Sequence, residues 1–97
     1  MNRIVKTFER LGKEEKKAFI PFITLGYPTV EDSEKLIFGL ERCGADIIEL
    51  GIPFSDPLAD GPVIQTASFE ALKNGVNLKK ALKFVERIRQ KTDIPLI

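Results

Sequence analysis

Residues 46–62 constrain this chain more than any other part of it. They read Asp46-Ile47-Ile48-Glu49-Leu50, then Gly51-Ile52-Pro53-Phe54-Ser55-Asp56-Pro57-Leu58-Ala59-Asp60-Gly61-Pro62. An apolar run of strand length carries a carboxylate at its tip. It opens into a loop dense in proline, glycine and acid that stops at a Gly-Pro helix start. Prolines fix their own φ, so the acids of this loop sit on stiff backbone. An acid-tipped strand running into a stiff polar loop is how βα-barrel enzymes build acid/base sites, because their active sites lie where strands end.

The rest of the chain supplies a matching alternation. Ile4, Val5, Phe8 and Leu11 fall at helical spacing, and Gly12 is expected to close that helix. Residues 18–24 form an apolar run of strand length, interrupted by Pro21, which argues for an edge or a bulge. Gly26-Tyr27-Pro28 reads as a turn. Thr29 with Asp32 three residues on predicts a capped helix through Leu36, Ile37, Leu40 and Cys43, ended by Gly44. Residues 46–50 are the second strand. Pro62 suits the first position of a helix carrying Val63, Ile64, Ala67, Ala71 and Leu72, with Asn74-Gly75 as its stop. Asn77 caps a further helix with Leu78, Ala81, Leu82, Val85 and Ile88 on one face. Ile94-Pro95-Leu96-Ile97 reads as a third strand.

This βαβαβ order predicts parallel strands and right-handed crossovers. A doubly wound nucleotide-binding sheet would need a Gly-rich phosphate loop after its first strand, and Gly26-Tyr27-Pro28-Thr29 is not one. The expected fold class is therefore α/β, a (β/α)8 TIM barrel, of which this chain holds the N-terminal βαβαβ portion. A full barrel takes about 250 residues, whereas this sequence has 97 and stops on an apolar, strand-like tetrapeptide. The expectation is one partial domain over residues 1–97, the first two to three βα units of a longer protein.

Composition narrows the chemistry. The net charge is +1 with acids and bases interspersed, so no basic footprint for nucleic acid is present. No apolar run approaches the roughly 20 residues of a membrane span, and the N-terminus lacks signal-peptide features. The lone Cys43 cannot form an internal disulfide, which fits a reducing cytoplasm. Its place on the apolar side of a helix suggests a buried small hydrophobe rather than a nucleophile. The absence of histidine excludes Ser-His and Cys-His catalysis within these residues and most zinc chemistry. No metal site is expected, and acid/base work falls to carboxylates.

Along the second strand, Ile47 and Glu49 share one face, with Asp46, Ile48 and Leu50 on the other. If Ile47 points into the barrel, Glu49 does too, nearer the rim. Partial desolvation there would raise its pKa toward a useful range. Pairing of Glu49 with a lysine is the competing reading. Asp60, directly before Gly61-Pro62, suits an N-cap as well as a catalytic acid. Asp56 could simply hold a turn. Phe22 and Ile64 suit the walls of an apolar pocket or ordinary core, and Tyr27 gains no role from its position.

These strings resemble one family closely. Pro21-Phe22-Ile23-Thr24-Leu25-Gly26-Tyr27-Pro28, Gly44-Ala45-Asp46, the segment from Glu49 to Pro62, and Ile64-Gln65 are similar to the N-terminal part of tryptophan synthase α subunits. The likeness runs from the first helix to Ile97 without internal departure, and Pro21 belongs to it. It implies a (β/α)8 barrel that cleaves indole-3-glycerol phosphate by a retro-aldol step to indole and glyceraldehyde 3-phosphate. It implies Glu49 as the proton-transfer group and Asp60 as acceptor of the indole N–H. Phe22 and Ile64 would line the indole pocket. Pro53 and Asp56 would face the β subunit of an α2β2 assembly, a heterotetramer. No cofactor is implied for this subunit, and pyridoxal phosphate is expected only in the β partner. The phosphate site would come from later loops, so the 97-residue chain alone is expected to lack appreciable lyase activity. Two alternatives remain: another phosphosugar barrel enzyme, and a non-catalytic partial barrel that self-associates over its apolar inner face.

Overall fold

The structure, a computed structural model, describes residues 2–55 and 59–97. Two segments come together as parallel strands, β1 (Phe22–Thr24) and β2 (Glu49–Gly51). Phe22 stands opposite Glu49, Ile23 opposite Leu50 and Thr24 opposite Gly51. Pairing extends past both ends: the Asp46 N–H donates to Phe19 O at 2.9 Å, the Glu49 N–H to Pro21 O at 2.9 Å, and the Leu25 N–H to Gly51 O at 2.9 Å. The first strand is thus shorter than the expected 18–24, beginning just after Pro21. Proline has no N–H for the ladder, and only its carbonyl is used. Residues 94–97 flank β2 on its other side, also parallel. The Ile48 N–H donates to Pro95 O and the Ile97 N–H to Ile48 O, both at 2.9 Å. The predicted βαβαβ order is the observed one.

Four helices accompany these strands among the described residues: α1 (Arg3–Lys13), α2 (Val30–Arg42), α3 (Pro62–Lys73) and α4 (Leu78–Ile88). Gly12 lies inside α1 rather than closing it. The left-handed position falls on Glu15 at φ 56° instead. The start of α2 follows the capping logic: the Asp32 N–H donates to Thr29 Oγ1 at 3.1 Å, and Thr29 Oγ1 donates to the Asp32 carboxylate at 2.9 Å. Asn77 caps α4 by accepting the Lys80 N–H at 2.9 Å. Gly44 and Gly75, both at positive φ, follow the ends of α2 and α3 as the sequence predicts.

One face of the sheet is sealed by α2 and α4. Ile23, Leu25, Ile37, Ile48, Val76, Ala81, Phe84, Ile88 and Ile94 form a continuous buried cluster there. Two expectations fail on this face. The sequence stripe of α4 included Leu78 and Leu82, yet both are 63% exposed and Phe84 is buried. The helix carries two overlapping apolar stripes, 78-82-85 and 81-84-88. It is the stripe with the phenyl ring that turns inward, since an aromatic side chain brings far more area. Cys43 is exposed, because it is the C-cap where α2 unwinds and not part of its buried face.

Polar groups pin the connections. The Gly26 N–H donates to buried Ser33 Oγ at 2.9 Å, and Ser33 Oγ donates onward to Thr29 O at 3.3 Å. Asn74, at the end of α3, donates through Nδ2 to Gly26 O at 3.0 Å and Pro28 O at 2.6 Å. Gly26 is needed at that junction. Its φ is +94°, and a Cβ there would lie 3.2 Å from Ala71 Cβ and collide with Val76. Near the third strand, Arg89 donates to Thr92 O at 3.1 Å and Ile94 O at 2.7 Å, while Thr92 Oγ1 donates to Glu41. Burial holds the Arg89 pKa below its ordinary value and neighbouring Arg3 adds repulsion, while Asp93 and Glu41 oppose both. Among the described residues no helix is long and apolar enough to cross a membrane.

Candidate active site

Strand alternation decides which residues share the open face. Ile23 and Leu50, paired across the sheet, point to the helices. Their neighbours Phe22, Thr24, Glu49 and Gly51 therefore occupy the opposite face. Phe22 and Glu49 are register partners, so a phenyl ring and a carboxylate stand side by side on the face away from α2 and α4. The ring leans along the sheet over Gly51: a Cβ there would come within 2.9 Å of Phe22 Cε2 and 3.3 Å of Ile23 O. The glycine gives the ring its place. Thr24 and Gly51 belong to this face too, and alternation from Phe22 and Glu49 was the available signal for them.

Ile47, buried to 0% exposure, lies outside the helix-facing cluster, whereas Glu49 two residues on is exposed. The face thus opens toward the C-terminal ends of the strands. Among the described residues Glu49 is exposed, so the partial desolvation expected of it is not provided by them. The competing lysine pairing is absent as well. Among the described residues Glu49 makes no ion pair and no side-chain hydrogen bond.

The loop after β2 leads to α3. Its N-cap is Gly61, with no side-chain cap bond, so Asp60 does not cap the helix. Asp60 is exposed, and its backbone carbonyl accepts from Gln65 Nε2 at 2.7 Å. Its carboxylate is left to other partners. Ile64 is half-buried in the first turn of α3, the helix that packs against β1 and hence against the strand of Phe22. Pro53 is buried, and the exposed apolar groups beside it are Ile52 and Phe54. The resemblance implies Pro53 as a partner-facing residue, and the apolar side chains exposed there are its neighbours Ile52 and Phe54. Asp56 lies outside the described residues. No group of three or more His, Cys, Asp or Glu able to hold a metal occurs among the described residues.

Chains of known identity are similar to this one in sequence and in fold. A family profile described as tryptophan synthase alpha chain matches residues 8–97. The tryptophan synthase alpha chain of Geotalea uraniireducens is 56% identical over 97 residues, covering 100% of this chain and 36% of that one. That of Caldanaerobacter subterraneus subsp. tengcongensis is 54% identical, covering 100% and 37%. The crystal structure of tryptophan synthase subunit alpha from Legionella pneumophila superposes with a TM-score of 0.95 at 43% identity, over 99% of this chain and 37% of that one. Tryptophan synthase from M. tuberculosis in its aminoacrylate-bound form gives 0.83 at 37% identity, over 93% and 37%. The chain spans little more than a third of the length of these relatives, and its elements are the opening of a (β/α)8 barrel. By its profile match and by these likenesses, the chain belongs to the tryptophan synthase alpha chain family.

Proposed function

We propose that this chain is the opening, two to three βα units within one partial domain, of a cytoplasmic tryptophan synthase α subunit. Its reaction is a carbon–carbon cleavage of indole-3-glycerol phosphate to indole and glyceraldehyde 3-phosphate. A proton is added at indole C3, which puts positive charge on the ring nitrogen. The side-chain hydroxyl then loses its proton and its carbon becomes the aldehyde. The C–C bonding pair returns to the ring and neutralises the charge. Glu49 serves as the proton-transfer group. Asp60 accepts a hydrogen bond from the indole N–H, a fixed carboxylate aimed where positive charge develops. Phe22 and Ile64 wall the indole. No step uses a cofactor held by this chain, and pyridoxal phosphate is assigned to the β partner. The loop holding Pro53 and Asp56 faces that partner in an α2β2 assembly, a reading supported by the exposed Ile52 and Phe54 beside Pro53.

The observation that carries this reading is Glu49 beside Phe22 on the open sheet face, unpartnered among the described residues. The test is a chimera in which residues 1–97 replace the matching segment of the Geotalea uraniireducens α chain. It should release indole from indole-3-glycerol phosphate, while the 97-residue chain alone should not. In the chimera, Asp60→Asn should lower kcat/KM by about tenfold or more, since the amide accepts a hydrogen bond without the charge. A folded chimera without activity, or one indifferent to Asp60→Asn, overturns the assignment.

A further inference from the structure

On the helix side of the sheet, opposite Glu49, lies a cavity of about 270 Å³ between the start of α2 and the length of α4. Its floor is apolar: Leu25, Val76 and Phe84 are core residues, and Val30 is half-buried. Its rim is cationic, from Lys80, Lys83 and Arg87 on successive turns of α4. Arg87 is engaged by Glu34 at 3.2 Å and lies over the Phe84 ring with its guanidinium carbon 5.4 Å from the centroid. Lys80 and Lys83 have no carboxylate partner among the described residues. No acidic side chain among the described residues lines the cavity. A concave apolar floor with a few polar groups converging at its edge is the general form of a small-molecule site.

We propose that this cavity binds a small amphipathic anion, its apolar body on Leu25, Val30, Val76 and Phe84 and its head group between Lys80 and Lys83. The volume corresponds to about nine waters, which suits a ligand of about eight to eleven heavy atoms. Two unpaired ammonium groups select an anionic head, carboxylate or phosphate. The floor reaches the turn after β1, since Val76 packs directly on Gly26.

The test is a titration of the isotope-labelled 97-residue chain, followed by amide NMR shifts, with hexanoate, hexyl phosphate, hexanol and hexylammonium. Saturable shifts at Val30, Val76 and Phe84 are expected with the anions, at an affinity about tenfold or more above that for hexanol. Binding of one anion alone supports the site and identifies its head group. Charge reversal by Lys80→Glu with Lys83→Glu should abolish the preference for anions and leave hexanol binding unchanged. Lys80→Ala with Lys83→Ala should do the same more mildly. Both lysines are exposed, so the fold is retained. Equal binding of hexanol or hexylammonium, shifts confined to the face of Phe22 and Glu49, or no saturation overturns the proposal.

Discussion

Glu49→Gln in the chimeric α chain is expected to lower kcat for indole release by about 10²- to 10⁴-fold, the usual contribution of a positioned acid/base group. Glutamine keeps the size and shape of the side chain beside Phe22 but cannot exchange a proton near neutral pH. KM should change little, because the substituted group acts on the reacting atoms and not on the bulk of the substrate. Glu49→Asp should recover only part of the rate, since it retracts the carboxylate and small misplacements are costly in a proton-transfer geometry. Single-turnover measurement of indole formation separates the chemical step from product release. A Gln variant within threefold of the parent rate would leave Glu49 as a surface acid, and the face it shares with Phe22 would need another proton donor.

The largest expected effect on stability is at Ile37. Ile37→Ala should destabilise the chain by about 2–5 kcal/mol, the range for deleting a fully buried branched side chain and leaving a cavity. Ile37 has 0% exposure and sits in the cluster that joins α2 to Ile23, Ile48 and Phe84. Its sequence neighbour Leu36 is 45% exposed, so Leu36→Ala should cost well under half as much. Urea unfolding of both variants gives the comparison directly. Equal midpoints for the two would mean that α2 is not seated by its Ile37 face.

That pair also marks how far the residues alone could carry the reading. Periodicity placed Leu36, Ile37 and Leu40 on one side of a helix, and capping residues bounded it between Thr29 and Gly44, as observed. Which of the adjacent apolar residues faced the sheet was not legible. A helix with two neighbouring apolar stripes has two acceptable rotations until something packs on it. The same ambiguity put Leu82 inside and left Phe84 out of the expected stripe of α4. Cys43 was misplaced for a related reason: it stands at the last turn, where the chain leaves the helix face.

For the candidate site the division is similar. Alternation in residues 46–50 was enough to put Glu49 and Ile48 on opposite faces, because a strand has a strict period of two. Local sequence also marked the start of α3 at Pro62, but the cap it suggested, Asp60, stands one residue before the observed N-cap, Gly61. The register that sets Glu49 against Phe22 depends on contacts between residues far apart in the chain. No local preference specifies such a pairing. The burial of Pro53 between exposed Ile52 and Phe54 has the same origin.

By itself, the sequence determined the order of elements, the caps of α2 and α4, and the alternating faces of the strands, since each follows from interactions within a few residues. Only the tertiary structure decided the rotation of α2 and α4, the pairing of Phe22 with Glu49, and the cavity rimmed by Lys80 and Lys83. These depend on which surfaces exclude water together, a property of packed elements and not of any one segment.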